Sequence, residues 1–157
     1  MKKFELTAEF VTNVFGKKLF RIKALVAFGN VEKGELGGFI EKEDNLSHSG
    51  NAWVSDNAQV SGNAWVSGNA RVSGDAWVSG DADYAVVAGF GRYFRTTTFF
   101  RCKDKILRIQ CGCFYGDLAQ FREIVKKTHG DSKYAKEYLA IADLMELHFS
   151  DECGGEK

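Results

Sequence analysis

Basic and aromatic side chains crowd one stretch of this chain. Between Val86 and Gln110 stand Arg92, Arg95, Arg101, Lys103, Lys105 and Arg108, with Asp104 the lone acid among them. Tyr93, Phe94 and Phe99 are interleaved. Guanidinium and ammonium groups hold phosphates or carboxylates, and aromatic rings stack on bases or on cations. That is the chemistry of a binding face. The candidate ligand or partner residues are Arg92, Arg95, Phe99, Arg101 and Arg108. A hairpin turning at Lys103-Asp104-Lys105 with a two- or four-residue loop sets Cys102 opposite Leu107 and Phe100 opposite Ile109. The same register sets Arg101 against Arg108. Two opposed arginines repel unless they splay into water or an anion sits between them. The competing reading is a solvated strand face that meets acidic residues of another copy, such as Glu32, Glu35, Glu41, Glu43 and Asp44.

Residues suited to bond making are sparse. Cys111-Gly-Cys113, Cys102 and Cys153 lack a CxxC pair, and Cys111 and Cys113 fall on the apolar side of the expected hairpin. They read as core cysteines rather than zinc ligands. His129 precedes a helix stop and His148 lies on a helical core stripe. "GFGRYF" has two glycines without the lysine or spacing of a phosphate loop. No catalytic residue, metal ligand or cofactor is expected.

The element that must position this face is a repeat. "SGNAWVSDNAQVSGNAWVSGNARVSGDAWVSGDAD" runs from Ser49 to Asp83. Val54, Val60, Val66, Val72 and Val78 recur six apart, each two residues after an alanine. Six is a multiple of two and not of 3.6, so each unit holds a short strand and a turn. Gly, Asn and Asp supply the tight backbone. This pattern resembles the hexapeptide repeat of left-handed parallel β-helices. In that family three hexads make one triangular coil, so the resemblance implies stacking of residues eighteen apart. Trp53 then lies under Arg71, Gln59 under Trp77, and Trp65 under Asp83. Trp53, Trp65 and Trp77 are expected to point outward, one per face. Their apolar exposure predicts cover by flanking segments or an oligomer interface.

Flanking segments complete the reading. "EFVTNVFGKKLFRIKALVAFG" reads as a hairpin turning at Gly16-Lys17, and Gly34, Gly37 and Gly38 bend the chain onward. "YAVVAGF" reads as a strand. Asp117 and Gln120 form an N-cap pair for a helix bearing Leu118, Phe121, Ile124 and Val125. A second helix runs from about Ser132 to Phe149. "LGGFIEKEDNLSHSGNAWV" and the segment from Thr96 to Leu139 resemble hexapeptide-repeat proteins of phages and prophages with an attached domain of unknown function. The fold class expected is mainly β: a short left-handed parallel β-helix over 50–85, an N-terminal β cap over 1–49, and a C-terminal α+β domain (a β-hairpin plus two helices) over 86–157.

The 157 residues balance 21 Lys and Arg against 21 Asp and Glu, so no global charge draws the chain to nucleic acid or membrane. No apolar run is long enough for a span. Glu5 and Glu9 break up the start, so it does not read as a signal peptide. Four cysteines without an export signal fit reduced thiols in a bacterial host's cytoplasm. The function expected is that of a non-enzymatic, homo-oligomeric binding protein of phage type, with a trimer favoured. It would interfere with a host protein through the basic-aromatic face. One alternative is sequestration of a nucleotide signal, a phosphate-bearing small molecule, in counter-defence. Another is the acyl transfer common among left-handed β-helices, for which His48 is the only histidine near the repeat.

Overall fold

The computed structural model describes residues 2–80, 83–91, 95–111 and 114–150, and of Arg95 only the backbone. Alternating apolar side chains place β1 (Phe4–Thr12) and β2 (Lys18–Ala24) in an antiparallel hairpin. Asn13 closes its turn. The side-chain Oδ1 accepts from the backbone N–H of Phe15 at 2.9 Å and of Lys17 at 3.0 Å. β3 (Leu36–Ile40) pairs antiparallel with β2. Gly37 is required there, because a Cβ would strike the carbonyl oxygen of Val54 and the ring of Trp53.

The repeat contributes strands of only two residues. These are β4 (Trp53–Val54), β5 (Gln59–Val60), β6 (Arg71–Val72) and β7 (Trp77–Val78). β4 pairs in parallel with β6, Trp53 against Arg71, and β5 with β7, Gln59 against Trp77. β3 joins β5 with Ile40 against Val60, and Leu46 bridges Val66. Between the strands the backbone turns through a left-handed corner. Gly50, Gly62, Gly68 and Gly74 take φ between +63° and +70°, and Asp56 takes +56°. Every repeat valine and its partner alanine is at most 1% exposed. Each buried valine is worth about 1.5 kcal/mol or more. Together they match the net stability of a small domain.

The expected left-handed parallel β-helix with separate caps is not the fold that forms. The chain builds a mixed five-stranded sheet, β1-β2-β3-β5-β7, and a two-stranded parallel pair, β4-β6, and the repeat does not close into a coil. Two-residue strands offer too few ladder bonds to close on themselves. The N-terminal hairpin therefore joins the repeat's sheet rather than sitting on it as a cap.

A four-stranded antiparallel sheet follows, ordered β11-β10-β9-β8. Its strands are β8 (Tyr84–Phe90), β9 (Arg95–Arg101), β10 (Leu107–Cys111) and β11 (Phe114–Asp117). α1 (Leu118–His129) and α2 (Lys133–His148) cover one face. Asp117 and Gln120 cap α1 reciprocally, and Gly130 (φ +57°) ends it. The β9–β10 register differs by one residue from that expected. Lys103-Asp104-Lys105 make a three-residue loop with Lys105 at φ +69°, and the Cys102 N–H donates to the Ile106 carbonyl at 3.1 Å. Arg101 thus opposes Leu107, and Arg108 opposes Phe100. A slip of one exchanges the two faces. Phe99 and Ile109 turn to the helices, while Phe100 and Cys102 turn to the repeat. Thr98 Oγ1 accepts from the Arg71 N–H at 3.0 Å, and Ser73 Oγ donates to Gln110 Oε1 at 2.8 Å.

Gly62 and Gly68 share φ +63°, but a Cβ on Gly62 would press into the Ser79 carbonyl oxygen, whereas one on Gly68 meets open space. Gly68→Ala should cost about 1–2 kcal/mol from left-handed strain, and Gly62→Ala clearly more. Equal shifts in urea midpoint would mean that the corners are not close-packed.

Lys3 is buried, and its Nζ donates to the Ala52 carbonyl at 2.7 Å. Burial pulls its pKa from 10.5 down to about 8. Between pH 8 and 10.5 the unfolded chain keeps a proton that the folded chain has lost. Unfolding then takes up a proton, so Lys3 makes stability rise with pH across that window, by at most about 1.4 kcal/mol per pH unit. Below pH 8 its penalty is constant. The difference in unfolding free energy between wild type and Lys3→Met should therefore move in favour of wild type as pH rises through the window. A flat difference would place the ammonium in water.

Candidate functional site

The β9–β10 turn is pinned to the repeat, and that contact builds the site. The Lys103 N–H donates to the Asp75 carbonyl at 2.9 Å, and Ala76 bridges Cys102. Arg101, Lys103 and Lys105 are thereby carried to Trp77, on the edge strand β7 of the five-stranded sheet. The β1–β2 tip, Asn13 to Phe15, meets them there. Together they line a cavity of about 190 Å³, floored by Gln59 and Ser61. Phe15 stands at its lip, 79% exposed.

The charges in this cleft are not equivalent. Arg101 is anchored: its Nε lies 3.3 Å from Asp83 Oδ1, and its Nη2 donates to the Phe149 carbonyl at 3.1 Å. Lys103 and Lys105 are exposed, and neither pairs with an acid among the described residues. Asp104, between them, is engaged elsewhere, accepting from Arg108 Nη1 at 2.9 Å and from the Ile106 N–H at 3.1 Å. Arg108 holds the Asp104 carboxyl below its usual range, and that pair in turn raises the guanidinium. The cleft mouth thus keeps two ammonium groups in excess beside one neutralised arginine.

Cys102 also lines the cleft, as a buried thiol. Burial pushes its thiol up, against the opposing pull of Arg108 and Tyr115. A thiol that stays protonated attacks poorly. The Tyr115 phenol is itself pushed up to about 12 by burial.

The structure divides the residues singled out in the sequence. Arg101 reaches the cleft. Phe99 does not: it is fully buried against Phe121, ring centroids 6.0 Å apart, on the helix side of the sheet. Arg108 is tied to Asp104 and does not face Arg101. Arg92 lies outside the described residues, as do Tyr93, Phe94, Cys113 and Cys153, and Arg95's side chain is not described. Of the acidic residues, Glu41 accepts from the Gly62 N–H at 2.8 Å and pairs with Lys17, while Glu43 pairs with Lys2.

The tryptophans have three different fates. Trp53 is 1% exposed beneath the chain's own Phe28, edge to face at 5.3 Å. It cannot serve an oligomer interface. Trp65 is 55% exposed, and Trp77 is half-buried in the cleft wall. Lys103, Lys105, Trp77 and Phe15 are the cleft residues that the sequence did not bring together. The turn itself was readable, but its docking on Asp75 was not.

His48, the candidate base for acyl transfer, is built into the N-terminal packing. Its Nδ1 accepts from the Lys3 N–H at 3.0 Å, its Nε2 lies 3.2 Å from Glu43 Oε1, and its ring stacks on Phe4 at 4.2 Å. Both ring nitrogens are committed, which leaves no lone pair for a substrate. Among the described residues no helix is long and apolar enough to cross a membrane. No protein-family model matches the chain, and no curated protein matches it.

Proposed function

We propose that this chain is a non-enzymatic binding protein whose cleft takes a phosphate-bearing aromatic ligand of the nucleotide class. The observation that carries this reading is the meeting of Trp77 with Arg101, Lys103 and Lys105 around one apolar cavity. An indole wall stacks a base, worth about 1–3 kcal/mol per base. Lysines at the mouth take the phosphate through charge-assisted hydrogen bonds. The volume suits this division. About 190 Å³ is below the roughly 300–1,000 Å³ of drug-sized pockets. One ring system fits inside and the phosphate stays at the rim.

Binding without turnover is supported by the chemistry of the lining. Asp83 is neutralised by Arg101, and Cys102 is held as a thiol. Such a protein would act as a sink for its ligand, in the cytoplasm of a bacterial host as the phage resemblance implies. Exposed Val14 and Phe15 beside the lysines favour a second reading, in which this lip docks on an acidic host-protein surface.

Calorimetric titration with adenosine and guanosine mono- and diphosphates, and with inorganic phosphate, separates these readings. A nucleotide should bind more tightly than phosphate. Trp77→Ala should weaken nucleotide binding roughly five- to 150-fold, the loss of one stacked base. Lys103→Glu with Lys105→Glu should weaken it further and flatten its salt dependence, with folding unchanged because both side chains are exposed. Nucleotides binding no better than phosphate would remove the stacking. Absence of binding to any of these probes at millimolar concentration would remove the ligand altogether and leave the protein-surface reading.

A further inference from the structure

Of the three serines buried among the described residues, two have bonded hydroxyls and one does not. Ser47 Oγ donates to the Ser49 carbonyl, and Ser73 Oγ donates to Gln110 Oε1 at 2.8 Å. Ser61 is 8% exposed and lies in the floor of the Trp77 cleft. No group among the described residues hydrogen-bonds its hydroxyl. Buried polar groups are nearly always satisfied, so one left open at a cavity wall points to what the cavity takes.

Gln59 stands beside it. Val60, between them, is buried in the repeat core, so strand alternation turns Gln59 and Ser61 to the opposite face. In the ladder Gln59 lies between Phe39 and Trp77. Phe39 is buried beneath the Arg21 guanidinium, 4.3 Å from its ring centroid, while Trp77 walls the cavity. The half-buried Gln59 carboxamide likewise makes no hydrogen bond among the described residues. The floor therefore offers an amide oxygen, an amide N–H and a hydroxyl next to the indole. Other side-chain oxygens of the lining are engaged. Asn13 Oδ1 accepts from the N–H groups of Phe15 and Lys17, and the Asp83 carboxylate is held by Arg101 and Ser79. Lys103 and Lys105 can only donate.

We propose that Gln59 and Ser61 read the base, and that the ligand is an adenine nucleotide; this rests on the nucleotide reading above. Adenine carries its amino donor between two ring-nitrogen acceptors. Stacked on Trp77, it turns that edge to the floor. The carboxamide takes the amino group together with one ring nitrogen, and the Ser61 hydroxyl donates to the other. Guanine carries a carbonyl in place of that amino group and an extra amino group further along the ring. Meeting the extra group takes a further acceptor, and those of the lining are engaged. A buried donor left unmet counts against the base that brings it.

Calorimetric titration of the full chain with adenosine diphosphate and guanosine diphosphate tests this. Wild type should bind the adenine nucleotide roughly five-fold or more tightly than the guanine nucleotide. Ser61→Ala should weaken adenosine diphosphate roughly two- to ten-fold. Gln59→Glu replaces the amide donor with a second acceptor and should reverse the order of the two nucleotides. Their ratio within one variant cancels the effect of the added charge on the shared phosphates. Should Gln59→Glu fail to fold by circular dichroism, Gln59→Leu supplies the readout and should bring the two affinities together. A wild type that binds both equally or prefers guanine, or a ratio that neither Gln59 variant moves, would overturn the base reading and leave the nucleotide cleft standing. Binding of neither nucleotide at millimolar concentration would overturn the nucleotide cleft itself, and adenine selection with it.

Discussion

The interior of the repeat is only as wide as a valine facing a small neighbour, and the rest of the molecule depends on keeping it packed. Val54, Val60, Val66, Val72 and Val78 are buried to the last methyl, with Ala52 to Ala76 beside them. So narrow a core tolerates no slack. It survives because the backbone turns sharply at a left-handed corner, where an ordinary side chain meets strain. The repeat's two-residue strands cannot hold this alone. Hence β1 to β3 extend its sheet on one side, and the β8–β11 sheet docks on another through Thr98, Phe100 and Cys102.

That docking decides what the basic stretch does. Its two described arginine side chains are absorbed by the fold. Arg101 is held by Asp83 and the Phe149 carbonyl, and Arg108 by Asp104. Planar guanidinium groups suit this fixed, multidentate work. The flexible lysines of the tight turn remain outward, where a solvated ammonium costs nothing to keep and can meet an incoming anion. Trp77 adds an apolar wall there because the Ala76–Cys102 bridge seats the end of β9 and its turn beside β7.

The two sheets manage their edges differently. β1 carries charged residues and β8 carries none, while both shift register along their length. The N-terminal packing shows the opposite economy: His48 and Lys3 are polar groups spent on structure, with ring nitrogens and ammonium committed to backbone and carboxylate partners. A histidine or a buried lysine is a signal of chemistry only where its partners leave it something to do.

By itself, the sequence determined what is local. The six-residue spacing of Val and Ala marked the buried ladder, Gly and Asp marked its corners, and Asp117 with Gln120 marked the start of α1. These are properties of adjacent residues and need no distant partner. Tertiary structure alone decided the rest. A three-residue loop in place of a two- or four-residue one moved β9 against β10 by one position, and that exchanged Phe99 for Phe100 and separated Arg101 from Arg108. Spacing could not tell which tryptophan would be covered, because Trp53, Trp65 and Trp77 occupy equivalent positions of the repeat. Their difference comes from what packs on each: Phe28 on one, water on another, and the cleft on the third. The periodicity also overstated the repeat's independence, since a pattern in one chain records what a strand can face but not how many ladder bonds it will have to face it with.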